Sequence, residues 1–400
     1  MKTLVILGRG IEGAGNTRLA IEIDEYLRAQ GHDVKSVANS EKIWPRGKAH
    51  ENKFELHDFS KGAYQDDAAY DNIIVMSVPA KKFSEEGKEN FTALLEKYKD
   101  TPMSYIQVDH KLASINRNYY GVEPWTTRFF TCVDRVLTNC IDNDFLTKFV
   151  ARKVDLEEVG GLETVGMVMI SADFASLPKA KDEEKVDRTI QFIGRSPAWK
   201  GWIDLAKFHQ SHLQEAGYST QIEGIEMSIG TVGVVFKSTK PERIPFDYFH
   251  LGYKENPNEN HGRRDIPAQL YGPYVRNEAI NRISTSKFAA FTTFVGEQFG
   301  GMIEAAFLEM AATGTPVIIK KELYEHGRLN NGEWLRDFTP EDMGVIIFDK
   351  EAPQATLEKL EELQNNNDLY RKYRENVYTF WKARFDRSVM LPMMMKEITK

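Results

Sequence analysis

Two cations stand five residues apart in a loop that follows a predicted buried strand and opens a helix. Arg195 and Lys200 lie within residues 194–201, directly after the apolar run 189–193. Arginine supplies a planar fork of donors, lysine supplies a point charge, and the helix N-terminus adds partial positive charge. Together they could neutralise a diphosphate without a metal ion. The alternative is a pair of exposed cations at a surface turn.

Two carboxylates occur near the start of a later predicted helix, which the glycines at 300–301 open and Gly314 ends. A carboxylate accepts hydrogen bonds from paired hydroxyls, such as those of a ribose or a hexose. Glu304 and Glu309 would lie roughly 140° apart around a helix. They would therefore touch different parts of one ligand rather than share a metal ion. The alternative is ordinary helix-start electrostatics, because the helix dipole favours acids in the first turns.

A glycine-rich turn follows the first predicted strand. Gly8, Gly10 and Gly13 match the pattern G-x-G-x-x-G, in which backbone N–H groups at a helix N-terminus face an anion or a sugar. A nicotinamide site also needs a carboxylate at the end of the second strand. That strand ends near Asn39, and the first carboxylate after it is Glu41. A dehydrogenase is therefore disfavoured, and a tight turn without a ligand stays open.

Short apolar runs alternate with amphipathic segments along the chain, which predicts parallel sheets with right-handed crossovers. The fold class is therefore α/β, a pair of Rossmann-like doubly wound domains that face a central cleft. Ligands of such sheets bind beyond the carboxyl ends of the strands. Strands are predicted at residues 3–7, 33–37, 72–76, 105–108, 135–138, 167–170, 189–193, 220–225, 232–236, 288–294, 317–319 and 345–348.

The length of 400 residues suits two domains, predicted at 1–175 and 186–375, with a C-terminal helix at 376–400 that packs back on the first. The charged segment 178–185 is expected to be a linker or a solvated arm.

Lys and Arg number 52 and Asp and Glu number 59, which gives a net charge of −7, so a polyanion would need a local basic face. The absence of a long apolar run disfavours a membrane span or signal peptide, and two cysteines indicate a reducing cytoplasm.

With these motifs in place, the sequence resembles retaining GT-B glycosyltransferases, and most closely the T-even bacteriophage DNA α-glucosyltransferase family. The resemblance covers nearly the whole chain. The segments that carry it are residues 9–17, 77–80, 109–110, 193–201, 223–224, 267–269, 303–317 and 398–400.

The resemblance implies an enzyme that moves a sugar from a UDP donor to the hydroxymethyl group of 5-hydroxymethylcytosine in double-stranded phage DNA, with retention of configuration. Such a modification would protect the DNA from host nucleases. The donor is a UDP-sugar, and no cofactor or metal is expected. The expected partners are the modified DNA and, as a candidate, the phage replication sliding clamp, with no membrane. The site of action would be the cytoplasm of the infected bacterial host.

The resemblance also assigns roles to the residues of the donor site. Arg195 and Lys200 would hold the diphosphate of UDP, and Glu309 would bind the ribose hydroxyls. Glu304 would contact the donor sugar or the path by which the sugar enters the site. Gly13 belongs to the donor-binding turn.

Asp109 and His110 would lie on the opposite wall and form the catalytic set with Glu304. No carboxylate pair with retaining-glycosidase geometry is evident. We therefore expect attack from the same face as the leaving UDP, with a phosphate oxygen taking the acceptor proton.

Basic residues of the first domain are expected to hold DNA, with the target nucleotide flipped out of the duplex. Phosphate contacts would make this binding weaken with salt. The alternative for the segment 42–53 is a solvated mobile loop. The DNA-binding candidates are Lys42, Trp44, Arg46, Lys48, Lys53 and Arg117.

Two other functions remain open. A GT-B enzyme with a small-molecule or lipid acceptor would transfer no sugar to DNA. A non-catalytic DNA-binding or clamp-associated protein would bind DNA whether or not UDP is present.

The sequence departs from the family pattern at Val108, where the family has a histidine before the Asp-His pair. If that histidine contacts the exocyclic hydroxymethyl group of glucose, an apolar Val108 would suit a pentose such as arabinose. Glucose and arabinose are therefore both candidate sugars. Val108 as the last core residue of a strand is the alternative.

Val108→His should shift donor preference toward UDP-glucose, because a polar side chain could then meet the hydroxymethyl group that arabinose lacks. The measurement is the ratio of kcat/KM for UDP-glucose and UDP-arabinose, with Val108→Ala as control. An unchanged ratio would remove the link between residue 108 and the sugar.

Overall fold

The computed structural model describes residues 1–11, 15–41, 43, 45–78, 83–107, 124–138, 162–167, 169–195, 201–225, 248–251, 273–293 and 303–399. The chain divides into two compact units, Met1–Met169 with Leu391–Lys400, and Ile170–Met390. The second unit thus begins earlier than the sequence suggests and contains residues 178–185. Of the predicted C-terminal helix 376–400, only the part from Leu391 onward belongs to the first unit.

The first unit is built on a parallel sheet with the strand order β3-β2-β1-β4-β5-β6-β7. Its strands are β1 Lys2–Leu7, β2 Asp33–Asn39, β3 Glu55–His57, β4 Asn72–Met76, β5 Met103–Gln107, β6 Arg135–Thr138 and β7 Glu163–Gly166. Its helices are α1 Asn16–Ala29, α2 Glu85–Lys97 and α3 Pro124–Thr131.

Burial on both faces explains the apolar strands of this sheet. Every residue of β4 is buried, as expected where helices cover both sides of a parallel sheet. Leu19, Ile23 and Leu27 form a stripe at helical spacing on α1 and join the core of one face. Met394 and Ile398, near the C-terminus, belong to the same core.

The second unit has a parallel sheet with the order β10-β9-β8-β11-β12-β13. Its strands are β8 Val186–Arg195, β9 Ser219–Ile225, β10 Tyr248–Leu251, β11 Ser286–Phe291, β12 Val317–Lys320 and β13 Val345–Phe348. Its helices are α4 Trp202–Phe208, α5 Pro273–Thr285, α6 Ala305–Ala312, α7 Lys321–His326, α8 Pro340–Met343, α9 Pro353–Asn365 and α10 Asn367–Phe385; α11 Arg387–Ile398 runs from this unit into the first.

Aromatic and aliphatic side chains anchor the helices of the second unit to its sheet. Trp202 and Leu205 of α4 pack with Leu360 of α9 and with sheet residues in one core. Phe307 of α6 meets Trp381 of α10 edge to face, with ring centroids 4.4 Å apart. Helix α6 is thereby fixed firmly enough to position its first residues.

The α/β prediction is confirmed, and two local predictions are corrected. The strand expected at the apolar run 167–170 lies just before it, as β7 at Glu163–Gly166. The segment 178–185 is largely exposed, as expected, but it belongs to the second unit and is neither a linker nor a free arm. Asp182 accepts hydrogen bonds from Arg371 and Arg374, so its charge is paired within the unit. The predicted strand 232–236 lies outside the described residues.

Lys185 is a buried cation at the beginning of β8. Its side chain donates to the carbonyl of Ser286 at 2.9 Å and to the hydroxyl of Thr315 at 2.7 Å. Burial lowers the pKa of Lys185 to about 6, and the neighbouring Arg374 guanidinium acts in the same direction. Between this pKa and the ordinary value of 10.5, the unfolded chain binds one more proton than the folded chain. The free energy of unfolding therefore rises with pH in that window, by up to about 1.4 kcal/mol per pH unit.

Lys185→Met should remove this pH dependence, because methionine fills similar space without a titrating group. The gain in melting temperature over wild type should be largest near pH 6.5 and should shrink toward pH 9. The exposed Lys181→Met is the matched control and should show a flat difference. A Lys185→Met difference that stays constant across the range would contradict the assignment.

Candidate functional site

The middle of the second sheet contains a topological switch point. Strands β8 and β11 are neighbours, yet β9 lies on the far side of β8 and β12 on the far side of β11. Loops that follow such a pair of strands separate and leave a crevice, where doubly wound sheets bind ligands. β8 ends at Arg195, whose backbone pairs with Ile225 of β9. Arg195, which is predicted to bind the diphosphate, therefore begins the loop at the carboxyl edge of this switch point.

Gly201 joins the segments that follow the two central strands. It precedes α4 with a φ of +76°, and a Cβ atom there would overlap the carbonyl oxygen of Thr292. Thr292 follows β11 directly and is fully buried. Only glycine lets the start of α4 approach the end of β11 this closely. This contact could not be predicted from the sequence, because its partner lies 91 residues away in the chain.

The two predicted carboxylates lie at the start of α6, the first helix after β11. Glu304 is the N-cap residue, with extended backbone, and its carbonyl accepts from Leu308 N–H at 3.2 Å. It thus precedes the helix rather than occupying its first turn. Glu309 lies one turn further, and both residues are partly exposed. Arg195 ends β8, and α6 is the first described helix after β11, the strand adjacent to β8.

The first sheet has an equivalent switch point between β1 and β4. Gly8 N–H donates to Met76 C=O at 3.2 Å, and Arg9 N–H donates to the Ser77 hydroxyl at 3.3 Å. A Cβ atom on Gly8 would lie 2.7 Å from the Ser77 carbonyl oxygen. Ser77 itself has a φ of +61°, a conformation that costs free energy for residues other than glycine. The turn after β1 and the turn after β4 are therefore held against each other by these contacts.

Asn39 holds the glycine turn from the end of β2. Its buried side chain donates to the carbonyl of Gly8 at 3.1 Å and accepts from the N–H of Glu41 at 3.0 Å. The Glu41 carboxylate accepts from Ser84 N–H at 2.7 Å, next to the first residue of α2. An amide thus stands where a nicotinamide site needs a carboxylate, which argues against a dehydrogenase.

The predicted DNA-binding segment contains a 3-10 helix, Pro45–Lys53. Lys48 is exposed, whereas the Lys53 ammonium lies 3.3 Å from a Glu25 carboxylate oxygen. Ile43 bridges to Ile11 within the glycine turn, and Gly47 packs against the Ile11 carbonyl. The described backbone of this segment is therefore anchored to the glycine turn.

Several predicted site positions cannot be located. The side chains of Arg46 and Arg195 are not described, although both residues have a place in the secondary structure. The positions outside the described residues are Gly13, Lys42, Trp44, Val108, Asp109, His110, Arg117 and Lys200.

Across the described ranges, no cluster of three or more His, Cys, Asp or Glu side chains could hold a metal ion. No helix in that part of the chain has the length and apolar character needed to cross a membrane.

A protein-family model described as "DNA alpha-glucosyltransferase" matches residues 14–368. The chain belongs to the DNA alpha-glucosyltransferase family. It is 27% identical to the DNA alpha-glucosyltransferase of Enterobacteria phage T4 over 417 aligned positions, which cover all of both chains. The resemblance seen in the sequence is thereby confirmed.

Solved structures show the same fold. An alpha-glucosyltransferase in complex with UDP and a 13-mer DNA containing an HMU base has a TM-score of 0.78 and 22% identity, with full coverage of both chains. A complex with UDP-glucose and abasic-site DNA has the same score and identity, again over both full chains. Anabaena HepE, in complex with UDP and glucose, has a TM-score of 0.60 and 10% identity over both full chains. The GT-B fold prediction is therefore confirmed for this family member.

Gly201→Ala should both destabilise the protein and weaken binding of UDP, because it forces the start of α4 away from Thr292. Gly217→Ala is the matched control, since Gly217 has a φ of +77° but its Cβ would meet nothing closer than 3.9 Å. We expect a cost of about 1–2 kcal/mol at Gly217. The overlap at Gly201 should add about 1–3 kcal/mol.

Chemical denaturation and calorimetric titration with UDP measure the two effects. Equal stability losses in both variants, with UDP affinity unchanged in Gly201→Ala, would contradict the prediction. They would show that the contact between Gly201 and Thr292 does not shape the edge of the sheet where UDP is expected to bind.

Proposed function

We propose that this protein transfers a sugar from a UDP-sugar to the hydroxymethyl group of 5-hydroxymethylcytosine in double-stranded DNA, with retention of configuration. The observation that carries the proposal is the full-length similarity to a DNA alpha-glucosyltransferase. The alpha-glucosyltransferases of the same fold were solved with UDP or UDP-glucose and with DNA. Both types of ligand are the substrates of the proposed reaction.

The donor would lie at the switch point of the second sheet. Arg195 at the end of β8 and Lys200 in the following loop would neutralise the diphosphate. Glu309 on α6 would accept hydrogen bonds from the ribose hydroxyls, and Glu304 at the N-cap would face the sugar. The support for this placement is the sheet order, which brings the ends of β8 and β11 to one edge.

In the proposed reaction, the enzyme stabilises the negative charge of the leaving group. When the bond between the anomeric carbon and the phosphate oxygen breaks, negative charge grows on the β-phosphate. Fixed cations next to that phosphate lower the barrier because they need not reorient during the reaction. The acceptor hydroxyl attacks from the same face, and its proton passes to a phosphate oxygen. Asp109 and His110 would flank the sugar and acceptor, and no resident metal or cofactor takes part.

The acceptor would be reached by flipping the modified nucleotide out of the duplex. Its flanking phosphates would be held by Lys42, Arg46, Lys48, Lys53 and Arg117, with Trp44 beside them. Because the chain carries a net charge of −7, such contacts must be local, and affinity should fall steeply with salt. In a phage-infected bacterium the modification would shield DNA from nucleases, and the replication sliding clamp is the candidate protein partner.

A second candidate function is transfer to a small-molecule acceptor. The similarity to Anabaena HepE, solved with UDP and glucose, shows that this architecture also occurs without DNA in the complex. The family assignment favours DNA over this alternative.

Mass spectrometry of DNA after incubation with a panel of UDP-sugars tests the proposal. We expect UDP-glucose or UDP-arabinose to add one sugar to each reactive 5-hydroxymethylcytosine, with no addition to unmodified DNA of the same sequence. Transfer to a free sugar or lipid, without transfer to hydroxymethylated DNA, would favour the second candidate.

Arg195→Ala should weaken binding of UDP about 10- to 100-fold, because it removes a charge-assisted contact to the diphosphate. Lys207→Ala removes an exposed cation from the neighbouring helix α4 and is the matched control. Calorimetric titration with UDP measures both. Equal affinities in the two variants would contradict the diphosphate assignment.

A further inference from the structure

Three arginines of the second unit stand near one another without an acidic partner. Arg328, Arg336 and Arg384 form no ion pair with any residue that the structure describes. We call these three residues the arginine cluster. Arginines elsewhere in the described chain are paired with Asp or Glu, as at Arg18, Arg28, Arg128, Arg135, Arg188, Arg371 and Arg374. In a chain with a net charge of −7, a local group of unpaired guanidinium groups indicates an anionic partner from outside the chain.

Aromatic rings hold the guanidinium groups of the arginine cluster at the surface. The guanidinium carbons of Arg328 and Arg336 lie 3.6 and 4.5 Å from the centroid of the Trp334 ring. That of Arg384 lies 3.8 Å from the centroid of the Phe380 ring. Arg336 is exposed, and the other four residues are partly exposed. A guanidinium group that stacks on a ring still presents its N–H donors in the plane of the group, where an anion can accept them.

A short hairpin fixes the backbone of the arginine cluster. Arg328 and Trp334 face each other in an antiparallel bridge, and Leu329 next to them is fully buried. The side-chain amide of Asn330 donates to the carbonyl of Arg384 at 2.6 Å, which ties the hairpin to the end of α10. The cluster is therefore formed before a ligand binds, so little conformational entropy is lost on binding.

Two acidic residues flank Trp334, and both carboxylates are engaged within the same loop. The Glu333 carboxylate accepts from the Asn331 amide at 2.6 Å, and the Asp337 carboxylate accepts from the Trp334 N–H at 3.3 Å. Burial lowers the pKa of Arg384, and the charge of Glu333 only partly opposes this effect. The positive charge of the cluster is thus incompletely balanced by its own surroundings.

The chemistry of the cluster indicates the class of its partner. Guanidinium groups bind phosphates and carboxylates through pairs of N–H donors. Several fixed guanidinium groups side by side suit a polymer with regularly spaced anions better than one small ion. Duplex DNA presents such a row of phosphates, and the chain belongs to a family of enzymes that act on DNA.

We propose that the arginine cluster binds phosphates of the DNA duplex. This inference rests on the proposed function and adds a DNA-binding surface to the second unit, for which only donor binding was expected. It would act in addition to the basic residues of the first unit. Contacts to phosphates carry no sequence information, so the cluster would hold the duplex without recognising the modified base.

Binding of a labelled duplex by the full-length protein tests the proposal, with fluorescence anisotropy measured over a range of salt concentrations. A variant with both Arg328→Gln and Arg336→Gln should bind the duplex about 10-fold more weakly at low salt. The slope of log affinity against log salt should fall by about 1 to 2, because one or two phosphate contacts are lost. Hydroxymethylated and unmodified duplexes of one sequence should show the same loss. Affinity for UDP should not change.

Lys181→Gln combined with Lys350→Gln is the matched control, because it removes two exposed cations from the same unit. It should bind DNA almost as wild type does. Arg328→Lys with Arg336→Lys should recover part of the salt slope, since lysine still neutralises a phosphate. Melting curves check that all variants fold.

Three results would overturn the assignment of the arginine cluster. The first is an equal loss of DNA affinity in the glutamine variant and the control, including no loss in either. The second is a loss confined to hydroxymethylated DNA, and the third is a defect that the lysine variant does not reduce.

The proposed function can fail separately. A wild-type enzyme that transfers sugar to DNA while the glutamine variant binds DNA like the control contradicts only the role of the cluster. A wild-type protein that binds DNA through the cluster but transfers no sugar to it contradicts only the proposed function. A wild-type protein that does neither contradicts both.

Discussion

The second unit depends on one constraint, which is the order of the strands in its sheet. Two parallel strands are adjacent, but the strand that follows each of them in the chain lies on the opposite side of the pair. β8 and β11 lie side by side, and their carboxyl ends open toward the same edge. Hydrogen bonding along the strands fixes this edge, and Gly201 packed on the Thr292 carbonyl fixes the entry to α4. Strand order places the end of β8, at Arg195, next to the strand that precedes α6. Arg195 and Glu304 are far apart in the sequence and belong to different segments.

The first unit repeats the same strand order with different chemistry at its edge. Asn39 and Ser77 hold the glycine turn through neutral hydrogen bonds. Glu41, the first carboxylate after β2 in the sequence, is used at the start of α2. Among the described residues, the end of β2 therefore carries no carboxylate in the position that recognises a nicotinamide cofactor.

Much of the fold could be predicted from the sequence because buried parallel strands appear as uninterrupted apolar runs. Strands β4 and β13 match their predicted bounds for this reason. β3 was missed, since Glu55–His57 is a short and largely polar edge strand. The charged run 178–185 suggested a solvated arm because its partners, Arg371 and Arg374, lie in a distant helix. Charge patterns alone do not show whether a run is paired.

The candidate site was predictable in part. The position of Arg195 after a buried strand and of Glu304 near a helix start already indicated a ligand edge. The conformation of Ser77 and the contact of Gly201 depend on neighbours that only the folded chain brings near. Asp109, His110 and Lys200 remain predictions.

Hydrogen–deuterium exchange with and without UDP tests the central claim most directly, because it shows where the nucleotide lies. Binding at the switch point of the second sheet should slow exchange in the peptides that cover the end of β8 with the start of α4, and the end of β11 with the start of α6. Protection confined to other regions, with both of these segments unchanged, would contradict the account.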